Sequence, residues 1–190
     1  MTNLFSEIKE QVIFNEEIMF DESKIKEFIL NYITNKLIIK LEKERPFYFE
    51  QIISEFFIYR GIKLEKNKKT RDFGLDGMVK LDFEIFGDIN LGLQIKYKLI
   101  DSNDIDLFLT ALRNAELQLG VLVCKDSRQL QKYELNSKIK AILFSRGIQT
   151  KERLLNNKID INPVLILKLD DLIEIAASEM RAFVRGVYKK

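Results

Sequence analysis

From Ile62 the chain adopts a period of two, interrupted by a basic segment and resumed at Val79. Val79, Leu81, Phe83 and Ile85 alternate with Lys80, Asp82 and Glu84. After Phe86-Gly87-Asp88-Ile89-Asn90 the alternation resumes with Leu91, Leu93, Ile95 and Tyr97. Alternate residues of a strand lie on opposite faces, so this stretch predicts two half-buried strands joined by a turn. The second strand, Leu91 to Lys98, then carries Gly92, Gln94, Lys96 and Lys98 on its other face. Every other element has to be arranged around this hairpin.

Helical spacing precedes it. Residues 1–45 read as helical, with Asp21 or Ser23 able to cap a helix on which Ile25, Phe28, Ile29, Tyr32 and Ile33 recur. Arg45-Pro46 is expected to end that region. A second helix is expected from Phe47 to Arg60, stopped by Gly61, with Glu50 at the edge of its apolar stripe. Ile62 and Leu64 begin a short strand. After Ser102 the expected order is a helix to about Leu119, a strand Gly120 to Lys125, a helix from Ser127 to Arg146, and a shorter one around Thr150 to Asn157. A strand Val164 to Leu169 and a final helix capped by Asp170 follow. This alternation predicts an α/β fold, a central mixed sheet flanked by helices, with an N-terminal helical extension over 1–45 and the main domain over 46–190.

Composition narrows the chemistry. The chain has 190 residues, 46% of them hydrophobic and 32% charged, which suits one globular core. Its single cysteine, Cys124, lies in the apolar run Gly120-Val-Leu-Val-Cys and reads as a buried thiol. Histidine is absent, which removes Ser-His and Cys-His triads and His-ligated zinc. Acid-base work falls to carboxylates, lysine, tyrosine or metal-bound water. No stretch reaches the ~20 apolar residues of a membrane helix, and the start carries no export signal, so a cytoplasmic protein with no membrane partner is expected. Net charge is only +2, yet Lys63, Lys66, Lys68, Lys69 and Arg71 crowd one segment. Lys66, Lys68, Lys69 and Arg71 are expected to contact nucleic-acid phosphates.

That basic segment leads into Gly74-Leu75-Asp76-Gly77 at the mouth of the hairpin. Asp76 precedes one strand, and Gln94 and Lys96 share a face of the other, so pairing brings an acid, an amide and an ammonium together. Glycines on both sides of Asp76 allow a tight turn and close approach of a phosphate backbone. Asp72 is a substitute acid four positions earlier. Phosphodiester cleavage needs an activated water, charge stabilisation and help for the leaving group, which Mg²⁺ on oxygen ligands can supply. Asp76, the Gln94 amide oxygen and the Ile95 carbonyl are the candidate ligands, and Glu50 would add a second anion. Lys96 would orient the attacking water or neutralise charge on the phosphate.

Phe49-Glu50 in a helix, Gly61-Ile62 before a strand, Gly74-Leu75-Asp76-Gly77, and Leu93-Gln94-Ile95-Lys96 follow one another in an order that resembles the Mrr-like branch of the PD-(D/E)xK nucleases. The match is to the D-QxK variant, with Gln94 eighteen positions after Asp76. The likeness extends over roughly Phe47 to Asp126, and the strand at Gly120 looks like the one that continues that family's core. It departs from the best-known pattern in having no proline before the first acid and Gln94 in place of an acid. The resemblance implies a restriction-endonuclease-like fold, DNA as substrate and Mg²⁺ dependence, with Mn²⁺ able to substitute and no organic cofactor. Restriction or another anti-phage defence is the implied setting. Cutting both strands suits a homodimer, for which the N-terminal helices would be an interface or a DNA-contacting arm. Two alternatives remain on the same fold: a non-catalytic DNA-binding module, and a junction-resolving or repair nuclease.

Overall fold

The computed structural model describes residues 3–66, 74–83, 87–117, 119–127 and 164–188. Ser127, expected to open a helix, ends a strand, and the remainder of the helices expected over 127–146 and 150–157 lies outside the described residues, as do Lys68, Lys69, Arg71 and Asp72. The chain forms two compact units, a sheet unit over Ile62–Leu167 and a helical unit that joins Met1–Gly61 to Lys168–Lys190.

The expected hairpin is the centre of the sheet unit, but Gly87 to Asn90, expected in its turn, are paired strand residues opposite Phe83 to Lys80. Strand β2 (Gly77–Phe83) pairs antiparallel with β3 (Gly87–Ile100), with Val79 opposite Leu91 and Gly77 opposite Leu93. Strand β1 (Lys63–Lys66) pairs antiparallel on the outer side of β2. On the other side β3 runs parallel to β4 (Gly120–Ser127), placing Gln94 beside Leu122 and Lys96 beside Cys124. Strand β5 (Val164–Lys168) completes the order β1-β2-β3-β4-β5, a mixed sheet. Parallel neighbours cannot be joined by a tight turn. The chain crosses from β3 to β4 through helix α4 (Ser102–Asn114).

Helix α4 fixes what happens on one face of β3. Its Ile105, Phe108, Ala111 and Leu112 pack with Leu75, Ile100, Leu122, Cys124 and Val164 in one buried cluster. The approach is close enough to require glycine in both strands. A Cβ on Gly120 would lie 2.6 Å from the Phe108 ring, and one on Gly92 would collide with Leu112. Gly92, Gln94 and Lys96 share a face by alternation, so α4 covers the side that the sequence marks as polar. Gln94 is accordingly buried, at 9% exposure.

Both ends of α4 are written locally. Asp101 caps the N-terminus by accepting from the Asn103 and Asp104 N–H groups, and Asp104 accepts from the Asp101 N–H in return, a capping box. The helix stops at Asn114 and not near Leu119. Glu116, at φ 56°, turns the chain so that the Leu117 N–H reaches the Leu112 carbonyl and the Glu116 N–H that of Arg113. This is a Schellman closure made without glycine.

The helical unit consists of α1 (Leu4–Ile13), α2 (Glu22–Ile38), α3 (Arg45–Tyr59) and α5 (Leu169–Tyr188), with a 3-10 turn at Glu42–Glu44 before α3. Asp21 is the cap of α2, accepting from the Ser23 and Lys24 N–H groups. Three boundaries differ from expectation. Helix α2 ends at Ile38, and Arg45-Pro46 opens α3 instead of ending the helix before it. Proline suits a first turn because its missing N–H would have had no partner there. Helix α5 begins at Leu169, so Asp170 is inside its first turn. Asp171 accepts from the Lys168 N–H at 2.9 Å instead. Phe5 of α1 stacks edge-on against Phe56 of α3, and Glu22 of α2 pairs with Arg181 of α5 at 2.6 Å. No described helix is long and apolar enough to cross a membrane.

Candidate active site

Asp76 and Gln94 hold one another's strands through reciprocal contacts. The Asp76 N–H donates to the Leu93 carbonyl at 2.8 Å, and the Asp76 carboxylate accepts from the Ile95 N–H at 2.5 Å. In the opposite direction the Gln94 side-chain N–H donates to the carbonyl of Gly74. Gly74 has φ +88°, a conformation that glycine adopts without the Cβ penalty, so its carbonyl can face the amide. The Asp76 carboxylate is thus anchored on β3 while the residue remains exposed, beside a buried amide.

That amide is only half satisfied. Gln94 Oε1 is buried without a hydrogen-bond partner among the described residues. Leaving a buried acceptor unpaired costs about 1–3 kcal/mol, and a cation ligated by the oxygen would remove the cost. The donors here, a carboxylate, an amide oxygen and backbone carbonyls, are all hard oxygens and so fit Mg²⁺. The set is sparse in charge. Among the described residues no group of three or more His, Cys, Asp or Glu side chains is assembled for a metal.

Lys96 follows two positions along β3, partly buried, with Lys98 beyond it at the exposed rim. Both ammonium groups face Asp104 on α4, Lys98 at 2.7 Å and Lys96 at 3.8 Å from the same carboxylate oxygen. Asp104 is only 3% exposed. Burial by itself raises its pKa. The hydrogen bonds from Lys98 and the Asp101 N–H, with the charges of Lys98 and Lys96, outweigh burial and hold the carboxyl below its ordinary range.

Of the residues expected at the site, the structure brings Asp76, Gln94 and Ile95 together and sets Lys96 on the same face of β3 as Gln94. Glu50 is on α3 in the helical unit, its carbonyl accepting from the Ser54 hydroxyl at 2.8 Å. Lys66 ends β1. Asp104 is the charged residue that sequence reasoning passed over. Its signal was the Asp101-x-x-Asp104 spacing just after the lysine-bearing strand, which reads as an ordinary helix start.

Comparison with known proteins bears on the family of the chain. The family model Mrr_cat, described as a restriction endonuclease, matches residues 41–153. Among solved structures, the DNA modification-dependent restriction endonuclease AspBHI is similar over 100% of this chain and 41% of its own, at 10% identity and a TM-score of 0.35. The MspJI restriction endonuclease in complex with a 27-mer oligonucleotide is similar over 74% of this chain and 30% of its own, at 15% identity and a TM-score of 0.29. The chain therefore spans less than half the length of either. No curated protein matches. With more than half of its residues inside that family model, the chain belongs to the Mrr-type restriction endonuclease family.

Proposed function

We propose that the chain is a Mg²⁺-dependent endodeoxyribonuclease that hydrolyses DNA phosphodiester bonds and serves in restriction or another form of anti-phage defence. The observation that carries this reading is the buried, half-satisfied Gln94 amide beside the anchored Asp76 carboxylate, with Lys96 on the same face. Asp76, Gln94 Oε1 and the Ile95 carbonyl would hold the cation, and Glu50 is the proposed second anion. When bound, Mg²⁺ supplies charge neutralisation on the phosphate and lowers the pKa of a water; Mn²⁺ would substitute.

The chain's own groups do the remainder. The Ile95 N–H fixes the carboxylate of Asp76, so no reorganisation is needed when substrate arrives. The Lys96 ammonium orients the attacking water or meets the charge that grows on the phosphoryl oxygens. As the water oxygen bonds to phosphorus, the bond to the leaving oxygen breaks and that oxygen takes up a proton. The basic segment Lys66, Lys68, Lys69 and Arg71 is the proposed phosphate contact, and two chains are proposed to act as a homodimer in the cytoplasm. In this reading residues 46–190 form the nuclease domain and 1–45 its helical extension.

The sparse negative charge among the described residues favours one second reading, a DNA-binding module without cleavage. Supercoiled, linear and branched DNA incubated with Mg²⁺, Mn²⁺ or EDTA separate the two. Cleavage in either metal and none in EDTA is expected, and a preference for branched DNA would identify a junction or repair nuclease. Lys96→Ala should lower the rate by roughly 10² to 10³, if the ammonium is worth about 3–4 kcal/mol in the transition state. DNA affinity measured in Ca²⁺ should change far less. A parent that binds DNA but leaves it intact in both metals overturns the nuclease reading.

A further inference from the structure

We infer that Asp104 is the positioning residue that holds the Lys96 ammonium on the Gln94 face of β3. The assignment rests on the nuclease reading above and adds to it a residue from another element.

A lysine ends in a compact charge on a flexible four-carbon stem, so a reacting ammonium needs something to locate it. Lys96 and Lys98 leave β3 on the same face, and both are directed to the first turn of α4. Two cations at a helix N-terminus would be repelled by the helix dipole and by each other. Asp104 reverses that situation. Its Oδ1 lies 2.7 Å from Lys98 Nζ and 3.8 Å from Lys96 Nζ, and its other oxygen accepts from the Asp101 N–H at 3.3 Å. The exposed Lys98 closes the outer side, and the less exposed Lys96 faces the same oxygen from within.

The carrier of this carboxylate is rigid. Asp104 sits in the capping box, and the next residue, Ile105, is fully buried in the cluster that joins α4 to β3 and β4. A carboxylate at 3% exposure would be costly to keep without cationic partners, and the two lysines are the partners it has. Displacing a reacting group by about 1 Å can cost up to ~10²-fold in rate, so a tether of this kind falls within the range that cleavage would register.

The test uses the full chain and single-turnover cleavage at saturating DNA in Mg²⁺. Asp104→Asn keeps an oxygen for the Asp101 N–H while removing the charge, and Asp104→Glu keeps the charge. Asp104→Asn should slow cleavage by roughly tenfold or more with little change in DNA affinity in Ca²⁺, and Asp104→Glu should retain more of the rate. On a Lys96→Ala background Asp104→Asn should add almost nothing, because residues that act through one another are not additive. Cleavage at the parental rate by folded Asp104→Asn overturns the assignment. So does an equal fold-loss in both backgrounds, which would mark a structural role, and so does Asp104→Asn outperforming Asp104→Glu when both variants melt with the parent. These outcomes require a parent that cuts. A parent that never cuts fails at the first step, taking the nuclease reading and this assignment with it.

Discussion

Gln94 and Asp104 are both buried polar residues on the α4 side of β3, and they answer differently to a change of charge. Gln94 has one satisfied end and one unpartnered oxygen. Gln94→Glu removes the N–H given to Gly74 and places a negative charge where the residue is 9% exposed. The metal-free variant should lose more than about 1 kcal/mol of stability. Added Mg²⁺ should restore melting temperature more in the variant than in the parent, because a ligand bound to the folded state stabilises it. Equal Mg²⁺ shifts in both would remove Gln94 from the metal site. Asp104 has its folded pKa held below the ordinary value of 3.8. Its stabilising effect is therefore present above that value and is lost as pH falls through the folded pKa. Urea unfolding should find Asp104→Asn weaker than the parent at pH 7, with the gap closing below about pH 4. The Asp76 and Gln94 positions were readable because spacing and period two bring them together. Asp104 was not, because only the packing of α4 makes a capping residue the neighbour of two lysines.

Among elements, the strands were the most legible, since alternation is set by the pleat and survives any packing. The ends of helices were less so. Pro46 signals a boundary whether it closes one helix or opens the next, and only the first turn of α3 decides between them. The C-terminus of α4 depends on Glu116 adopting a positive φ, which no residue preference predicts. The contact of α4 with β4 makes its own prediction. Gly120→Ala would drive a methyl into Phe108 and Leu112, both of them held in the buried cluster. A loss of about 1–3 kcal/mol is expected from such overpacking, read as a lower urea midpoint. Gly186→Ala is the control. Nothing lies within 4 Å of that position on α5, so alanine should be neutral or stabilise by up to about 1 kcal/mol. Equal effects at the two positions would mean that α4 does not approach β4 as closely as described.

At the scale of the molecule, local pattern says little about which segments share a unit. The helical unit takes its members from both ends of the chain, and the Glu22 to Arg181 pair that links α2 to α5 has no counterpart in any local period. Charge distribution, by contrast, is open to reading, and the last prediction rests on it. A net charge of +2 over 190 residues cannot hold a polyanion through the whole surface. In the proposed reading, affinity for DNA comes from a few concentrated cations, and Lys66, Lys68, Lys69 and Arg71 are the densest group just before the Asp76 turn in sequence. Each phosphate contact releases counterions and contributes roughly 0.9 to the slope of log affinity against log salt. Replacing Lys68, Lys69 and Arg71 by Ala should therefore flatten that slope by about 2 to 3 and weaken binding to unrelated sequences alike. Lys96→Ala, which removes one cation from a partly buried position, should flatten it by about 1 at most. Fluorescence anisotropy in Ca²⁺ across a salt series measures both. An unchanged slope in the triple variant would assign the segment to solvent and move the DNA footprint to other cations.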